Sequence, residues 1–216
     1  MHWYPDRIGD WFSSLFSGYL WHGSRTDKIV YITFDDGPHP IVTPYVLTQL
    51  ENYKFKASFF CIGDCVQRHE QLYHRIIKEG HAVGNHTYHH LNSWKTSSTV
   101  YLDDVEKASS VIESHLFRPP YGRITSTIAK KLRNKGYNII LWDVLSGDFD
   151  INRTAASCLK KLKKNTRNGS IIVFHDSEKS FEKLKTILPS YFDYLKNEGY
   201  HTAVIKHTAS LSQLKN

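Results

Sequence analysis

The stretch Ile29-Val30-Tyr31-Ile32-Thr33-Phe34-Asp35-Asp36-Gly37-Pro38 sets the reading of this chain. It begins as an apolar run that reads as a strand and ends on two adjacent carboxylates before a Gly-Pro turn. Successive side chains on a strand point to opposite faces, so Asp35 and Asp36 cannot share one task on a regular strand. At the strand's end, where the chain turns, both can lean into one site in different roles. One can bind a metal while the other moves a proton.

Further metal ligands follow about fifty residues on, in Gly84-Asn85-His86-Thr87-Tyr88-His89-His90 after a second short apolar run. Zinc is held by imidazole nitrogens and carboxylate oxygens, and a catalytic zinc keeps one position open for water. His86 and His90 with one Asp make such a set. With 13 His in the chain, some clustering arises by chance, and a histidine cluster alone fits an ordinary surface. Its combination with a strand-end Asp-Asp is what points to a metal.

Outward from these two stretches, short apolar runs alternate with helical patterns from residue 28 to the end. The predicted strands are 29–34, 57–62, 81–84, 116–118, 138–145, 170–174 and 202–205. The predicted helices are 43–53, 66–79, 99–114, 126–135, 154–166 and 181–197. Such alternation implies parallel strands with helical crossovers, in an open doubly wound sheet or a barrel. Asp35, Asp36, His86, Arg118, Asp148 and His175 all fall at or just past strand ends. Barrels gather their active residues there, so the pattern favours a parallel α/β barrel, smaller than the usual eight-stranded one because only about seven strands are available.

Two further stretches carry chemistry. Arg118-Pro119-Pro120-Tyr121-Gly122 is a stiff loop, with two prolines fixing the backbone and Gly122 relieving it. Arg118 can hold a carboxylate ionised, and the Tyr121 backbone N–H can face a developing oxyanion. By itself the loop also fits an ordinary Pro-Pro turn. The run Ile171–Phe174 delivers His175, suited to a general acid, and Asp148 can raise its pKa. Phe149 and Val173 can line an apolar pocket beside it.

Composition narrows the rest. The 216 residues, 40% hydrophobic, suffice for one well-buried core without a second domain. The predicted organisation is an N-terminal helical extension over 1–27 and one domain over 28–216. A net charge of +7 favours anionic surfaces, but the basic residues are dispersed and lack aromatic interleaving, so no nucleic-acid partner is expected. Cys61, Cys65 and Cys158 read as free thiols. Residues 1–22 lack the long apolar core of a signal peptide and are interrupted by Asp6 and Asp10. Ile8, Trp11, Phe12, Leu15, Phe16, Tyr19 and Leu20 recur at helical spacing. They predict an amphipathic helix packed on the domain, with peripheral membrane contact as the sharper reading. The expected setting is a monomer in the cytoplasm or at a membrane, with association to a bacterial cell envelope left open.

The motifs, taken together, resemble the polysaccharide deacetylases with a NodB homology domain, carbohydrate esterase family 4. Thr33–Pro38, His86–His90, Arg118–Gly122, Trp142–Phe149 and Val173–His175 occur in the family's order. The resemblance implies that the α/β fold is a distorted (β/α)7 barrel and that Asp36, His86 and His90 hold a divalent metal, usually zinc, with cobalt, nickel or iron as other ions. It implies Asp35 as general base tethered by Arg118, and His175 as general acid partnered by Asp148. Pro119, Tyr121, Trp142, Phe149 and Val173 would shape the substrate pocket. The implied substrates are acetylated amino-sugar glycans such as chitin oligomers or peptidoglycan, losing N-acetyl or O-acetyl groups. Many relatives have an additional Asp where this chain has Leu145, Trp where it has Phe149, and Leu where it has Val173. The alternative on the same scaffold is a metal hydrolase of cyclic amides or imides.

Overall fold

In the computed structural model, which describes residue 16 and residues 18–208, β1 (Ile29–Asp35) runs through the middle of a curled sheet. β2 (Ala57–Cys61), β3 (Ala82–Asn85), β4 (Leu116–Phe117) and β5 (Asn138–Ile139) follow on one side. β7 (Ile171–His175) and then β6 (Val144–Leu145) lie on the other. Every pairing is parallel, including that of the short β8 (His201–Thr202) with the start of β1. The helices are α1 (Val42–Tyr53), α2 (Gly63–Arg68), α3 (Glu70–Lys78), α4 (Ser98–Ser109), α5 (Ser126–Asn134), α6 (Ala155–Asn165) and α7 (Glu178–Asn197). The result is the distorted parallel barrel that the family resemblance implies, the barrel being one of the two architectures the strand–helix alternation allows.

The alternation along β1 decides which side chains face the site. Val30, Ile32 and Phe34 pack with Val46 and Leu50 of α1 and Leu184 and Leu188 of α7. Phe34 stacks between Phe59 at 5.1 Å and Phe174 at 5.6 Å. Tyr31 joins Phe60, Leu116, Ile140 and Ile171 in a separate cluster on the opposite face. Thr33 and Asp35 follow Tyr31 at two-residue spacing and so share its face. Ser97, Thr125 and Thr154 cap α4, α5 and α6 through their hydroxyls, each contributing about 1 kcal/mol.

The structure corrects several sequence-based boundaries. The single strand expected over 138–145 is broken into β5 and β6. Between them Ile140 bridges Leu20, whose N–H donates to the Ile139 carbonyl at 2.9 Å and whose carbonyl accepts from Leu141 at 2.7 Å. His22 bridges Ser170 beside β7, and Gly23 N–H donates to the Gly169 carbonyl at 2.8 Å. Leu20–Gly23 therefore stitch the two edges of the sheet, supplying partners to backbone groups that an open edge would leave bare. Tyr19 and Leu20, placed by the sequence pattern on a helical stripe, lie instead in this non-helical segment. Most of the amphipathic helix, with the membrane contact read from it, lies outside the described residues. Among the described residues no helix is long and apolar enough to cross a membrane. The helix expected over 66–79 is two helices, α2 and α3, separated at His69 (φ −133°). The last predicted strand, over 202–205, shortens to β8.

Candidate active site

The carboxyl ends of the strands open on a cavity of about 530 Å³. Asp35, Asp36, His86, His90 and His175 line it, with Pro119, Tyr121, Trp142, Leu145, Phe149 and Val173 as its largely apolar wall. Arg118 and Asp148, both wholly buried, stand behind that surface. Asp35 and His175 are register partners on the neighbouring strands β1 and β7, so the two face the cavity side by side.

Arg118 fixes the position of Asp35. Its Nη1 donates to Asp35 Oδ1 at 2.6 Å and to Thr33 Oγ1 at 2.7 Å. Its Nε and Nη2 donate to the carbonyls of Ile140 and Leu141, each at 3.3 Å, and its guanidinium carbon lies 4.0 Å from the Phe60 ring centroid. Burial pulls the guanidinium pKa down and the Asp35 carboxylate opposes that pull. An arginine keeps its charge in such a setting, so Asp35 has a permanent cation beside it.

Asp36 would face the helices if β1 continued regularly. Instead its φ is +82°, which swings the chain out of the strand and leaves its carboxylate in the cavity. Four of the five non-glycine residues with left-handed φ among the described residues sit in these loops: Asp36, Thr87, His90 and Tyr121. Backbone conformations of this kind persist where surrounding structure holds them, and they concentrate at functional sites. Asp36 Oδ1 lies 3.3 Å from His90 Nε2 and 3.8 Å from His86 Nε2. One donor atom from each of the three lies within 4.8 Å of the others. His86 Nδ1 meets the Arg118 carbonyl at 2.7 Å, which leaves Nε2 for the cavity.

The charge states suit a cation. Burial, working against the pull of Asp35, takes the His86 imidazole down to about 4, so it is neutral at physiological pH. Burial disfavours the Asp36 charge, but hydrogen bonding from His90 and the nearby His175 and His86 hold it well below the usual carboxylate range. An ionised carboxylate and two imidazoles converging within one ion's reach form a donor set that fits a divalent metal.

His175 has the opposite setting. Its Nδ1 meets Asp148 Oδ1 at 2.8 Å, and its backbone N–H donates to Asp148 Oδ2 at 2.8 Å. Asp148 also accepts from the Ser146 hydroxyl at 2.8 Å and the Phe149 N–H at 3.0 Å. Burial alone would lower the imidazole, but Asp148 first, then Asp36 and Asp35, outweigh it and push His175 up to about 9. The loop after Arg118 packs tightly at Gly122: a Cβ there would come within 2.6 Å of the Trp142 ring. Tyr121 places its hydroxyl 3.2 Å from His90 Nδ1.

Sequence reasoning missed two supporting carboxylates. Asp104 of α4 accepts from the backbone N–H groups of Tyr88 at 2.9 Å and His89 at 3.0 Å, and pairs with His89 Nδ1. It thereby pins the loop that carries His86 and His90. Nothing in the pattern of a polar helix turn distinguishes it from Asp103. Asp176 accepts from Gly37 N–H at 3.1 Å and from the Thr43 hydroxyl at 2.5 Å, and burial pushes it up to about 8. Its signal was available: a carboxylate directly after a buried apolar strand has to be satisfied by something.

A parallel barrel with a metal-ready triad, a tethered carboxylate and a carboxylate-backed histidine at one end has the make-up of a barrel hydrolase. The polysaccharide deacetylase family profile matches residues 22–140, and the chain belongs to that family. It is 35% identical over 196 residues to a peptidoglycan-N-acetylglucosamine deacetylase of Bacillus cereus, covering 88% of this chain and 92% of that one. It is 33% identical over 161 residues to a chitooligosaccharide deacetylase of Azorhizobium caulinodans, covering 71% and 76%. In the peptidoglycan-N-acetylglucosamine deacetylase PgdA of Listeria monocytogenes the match, at 31% identity, spans 84% of this chain and 39% of the relative. Among solved structures, a peptidoglycan N-acetylglucosamine deacetylase in complex with 4-naphthalen-1-yl-N-oxidanyl-benzamide superposes with a TM-score of 0.84 at 27% identity, covering 94% and 95%.

Proposed function

We propose that the protein is a metal-dependent hydrolase that removes N-acetyl groups from N-acetylglucosamine-containing glycans. The observation that carries the reading is the pairing, in one cavity, of a carboxylate with a fixed cation behind it and a histidine with a fixed anion behind it. Amide hydrolysis needs both: a base for the attacking water and an acid for the leaving amine. The names of the relatives in Bacillus cereus and Azorhizobium caulinodans support the acyl group and the sugar.

Asp36, His86 and His90 would hold the ion, zinc by choice, with cobalt, nickel or iron served by the same donors. A bound divalent cation supplies an electrophile for a carbonyl oxygen and can bring the pKa of its water down to about 7. Asp35 takes the proton from the attacking water, and Arg118 holds the carboxylate in place for it. The Tyr121 N–H donates to the oxygen on which charge develops. His175 gives its proton to the departing nitrogen, and Asp148 keeps that proton on the ring until then. Trp142, Leu145, Phe149 and Val173 shelter the acetyl methyl.

The test is acetate release from N-acetylglucosamine oligomers by the purified protein, after chelation and after zinc is restored. Release that chelation abolishes and zinc restores is expected. A zinc-loaded protein that frees no acetate from any N-acetylated glycan would overturn the reading.

A further inference from the structure

The charge of this protein is unevenly placed. Residues 114–142 and 151–175 hold 12 of the 28 lysines and arginines and none of the 21 acids. The remaining residues are acidic on balance, with 16 cations against 21 acids. The two stretches include α5, with Lys130, Lys131 and Arg133, and α6, with Lys160, Lys161, Lys163 and Lys164. Helices α3, α4 and α7 mix the two signs, as a surface kept soluble by its charges does. Charge of one sign concentrated on two helices creates a positive field over one side of the molecule.

The fold gathers the two stretches. α5 leads into β5 and α6 leads out of β6, the strands on either side of the seam that Leu20–Gly23 close. Arg133 turns to that seam, its guanidinium 5.7 Å from the Tyr19 ring centroid. Lys130, three residues before it, lies on the same stripe of α5. Lys160 and Lys164, one turn apart on α6, are exposed, as is Lys130. These three lysines have no carboxylate partner among the described residues. Apolar surface lies beside them. Phe16 is 43% exposed, its ring 6.3 Å from Tyr19 and its carbonyl accepting from Trp21 Nε1 at 3.3 Å. Residues 1–15, which lead into Phe16, include Trp3, Ile8, Trp11, Phe12 and Leu15.

We propose that this seam face docks on an anionic lipid bilayer, with the lysines of α5 and α6 over the headgroups and the aromatic residues around Phe16 at the interface. Attachment of this kind combines electrostatic attraction to anionic lipids with burial of an apolar element, and both lie on this face. A soluble anionic polymer would engage the lysines and leave the exposed aromatic surface unused. Docking takes the side of the barrel and leaves the cavity, at the carboxyl ends of the strands, open. It needs nothing from the reaction assigned to that cavity.

The experiment is co-sedimentation of the full chain with vesicles of phosphatidylcholine alone and of phosphatidylcholine mixed with phosphatidylglycerol. Binding should favour the mixed vesicles and fall away in about 0.5 M salt, where exposed charges are screened. A basic residue near an anionic surface strengthens binding by about fivefold. The Lys130→Gln, Lys164→Gln double variant should therefore lower the partition coefficient on mixed vesicles by about 25-fold. Lys54→Gln, Lys78→Gln removes the same charge from the ends of α1 and α3 and should change it by less than about twofold. Equal binding to neutral and mixed vesicles, or equal losses in the two double variants, overturns the proposal. Binding to soluble polyphosphate without binding to mixed vesicles also overturns it and makes the face a polymer site.

Discussion

Asp35 on β1 and Asp148 behind β7 are both buried carboxylates bonded to a basic side chain, and the two pairs lead to opposite chemistry. Asp35 faces the cavity itself and has an arginine behind it; at Asp148 the carboxylate is behind and the histidine faces the cavity. The difference lies in which partner can titrate. A guanidinium never gives up its proton, so the first pair is a fixed charge that holds a carboxylate ready to accept one. An imidazole does give it up, so the second pair stores a proton and can release it. In the proposed reaction, neighbouring strands thus present a base and an acid at one register position, each set by what stands behind it.

The comparison breaks most completely if the front group of the first pair is neutralised. Asp35→Asn removes the proton acceptor but keeps its shape and leaves Asp36, His86 and His90 untouched. Turnover should fall by about 10²–10⁴-fold with metal content, read by elemental analysis, unchanged. Removing the group behind acts on the fold as well. Arg118→Met leaves Asp35 buried without its cation and should cost about 3–5 kcal/mol in denaturant unfolding. A variant as stable as the wild type would show that Arg118 is no clamp. His86→Ala gives the contrasting result, with the metal itself lost.

Much of this arrangement was legible in the sequence, for a definite reason. Strand ends of a parallel barrel converge, so Asp35, Asp36, His86, Arg118 and His175 could be gathered into one place from their positions after apolar runs. What the run 29–35 could not reveal is the left-handed Asp36 that lets consecutive carboxylates share a cavity. The seam was hidden too. Residues 138–145 read as one strand because they are mostly apolar, with Asn138 at the start and Asp143 as the one interruption. They change partners midway because Leu20, from far earlier in the chain, pairs with Ile140. Asp104 was invisible because its partners are backbone N–H groups, which carry no side-chain signature.

The second pair yields to a subtler change. Asp148→Asn keeps a hydrogen-bonding group behind His175 but removes the charge, and His175 should drop from about 9 toward its ordinary value. The alkaline limb of the kcat/KM profile should then move to lower pH. The same shift appears in stability. A histidine raised in the folded state contributes stability that is complete below its unfolded pKa, about 6.5, and fades as pH rises through about 9. The wild type should lose stability across that window and Asp148→Asn should lose less. An unmoved alkaline limb would mean that some other group supplies the proton.

Asp104 sharpens the comparison because it is another buried carboxylate bonded, like Asp148, to a histidine, yet it does neither job. Its partner His89 is half exposed, and its second oxygen is spent on the N–H groups of Tyr88 and His89. That places its effect on geometry rather than on a proton. Asp104→Asn can still accept one of those backbone bonds, so the loop bearing His86 and His90 should loosen rather than collapse. Zinc affinity, measured by competition with a chelator, should weaken by about 10–100-fold, the usual effect of losing support behind a metal's ligands. At saturating zinc the pH profile should keep both limbs where they are. A displaced limb in this variant would make Asp104 part of the proton chemistry and erase the distinction between a carboxylate that tunes charge and one that holds a loop.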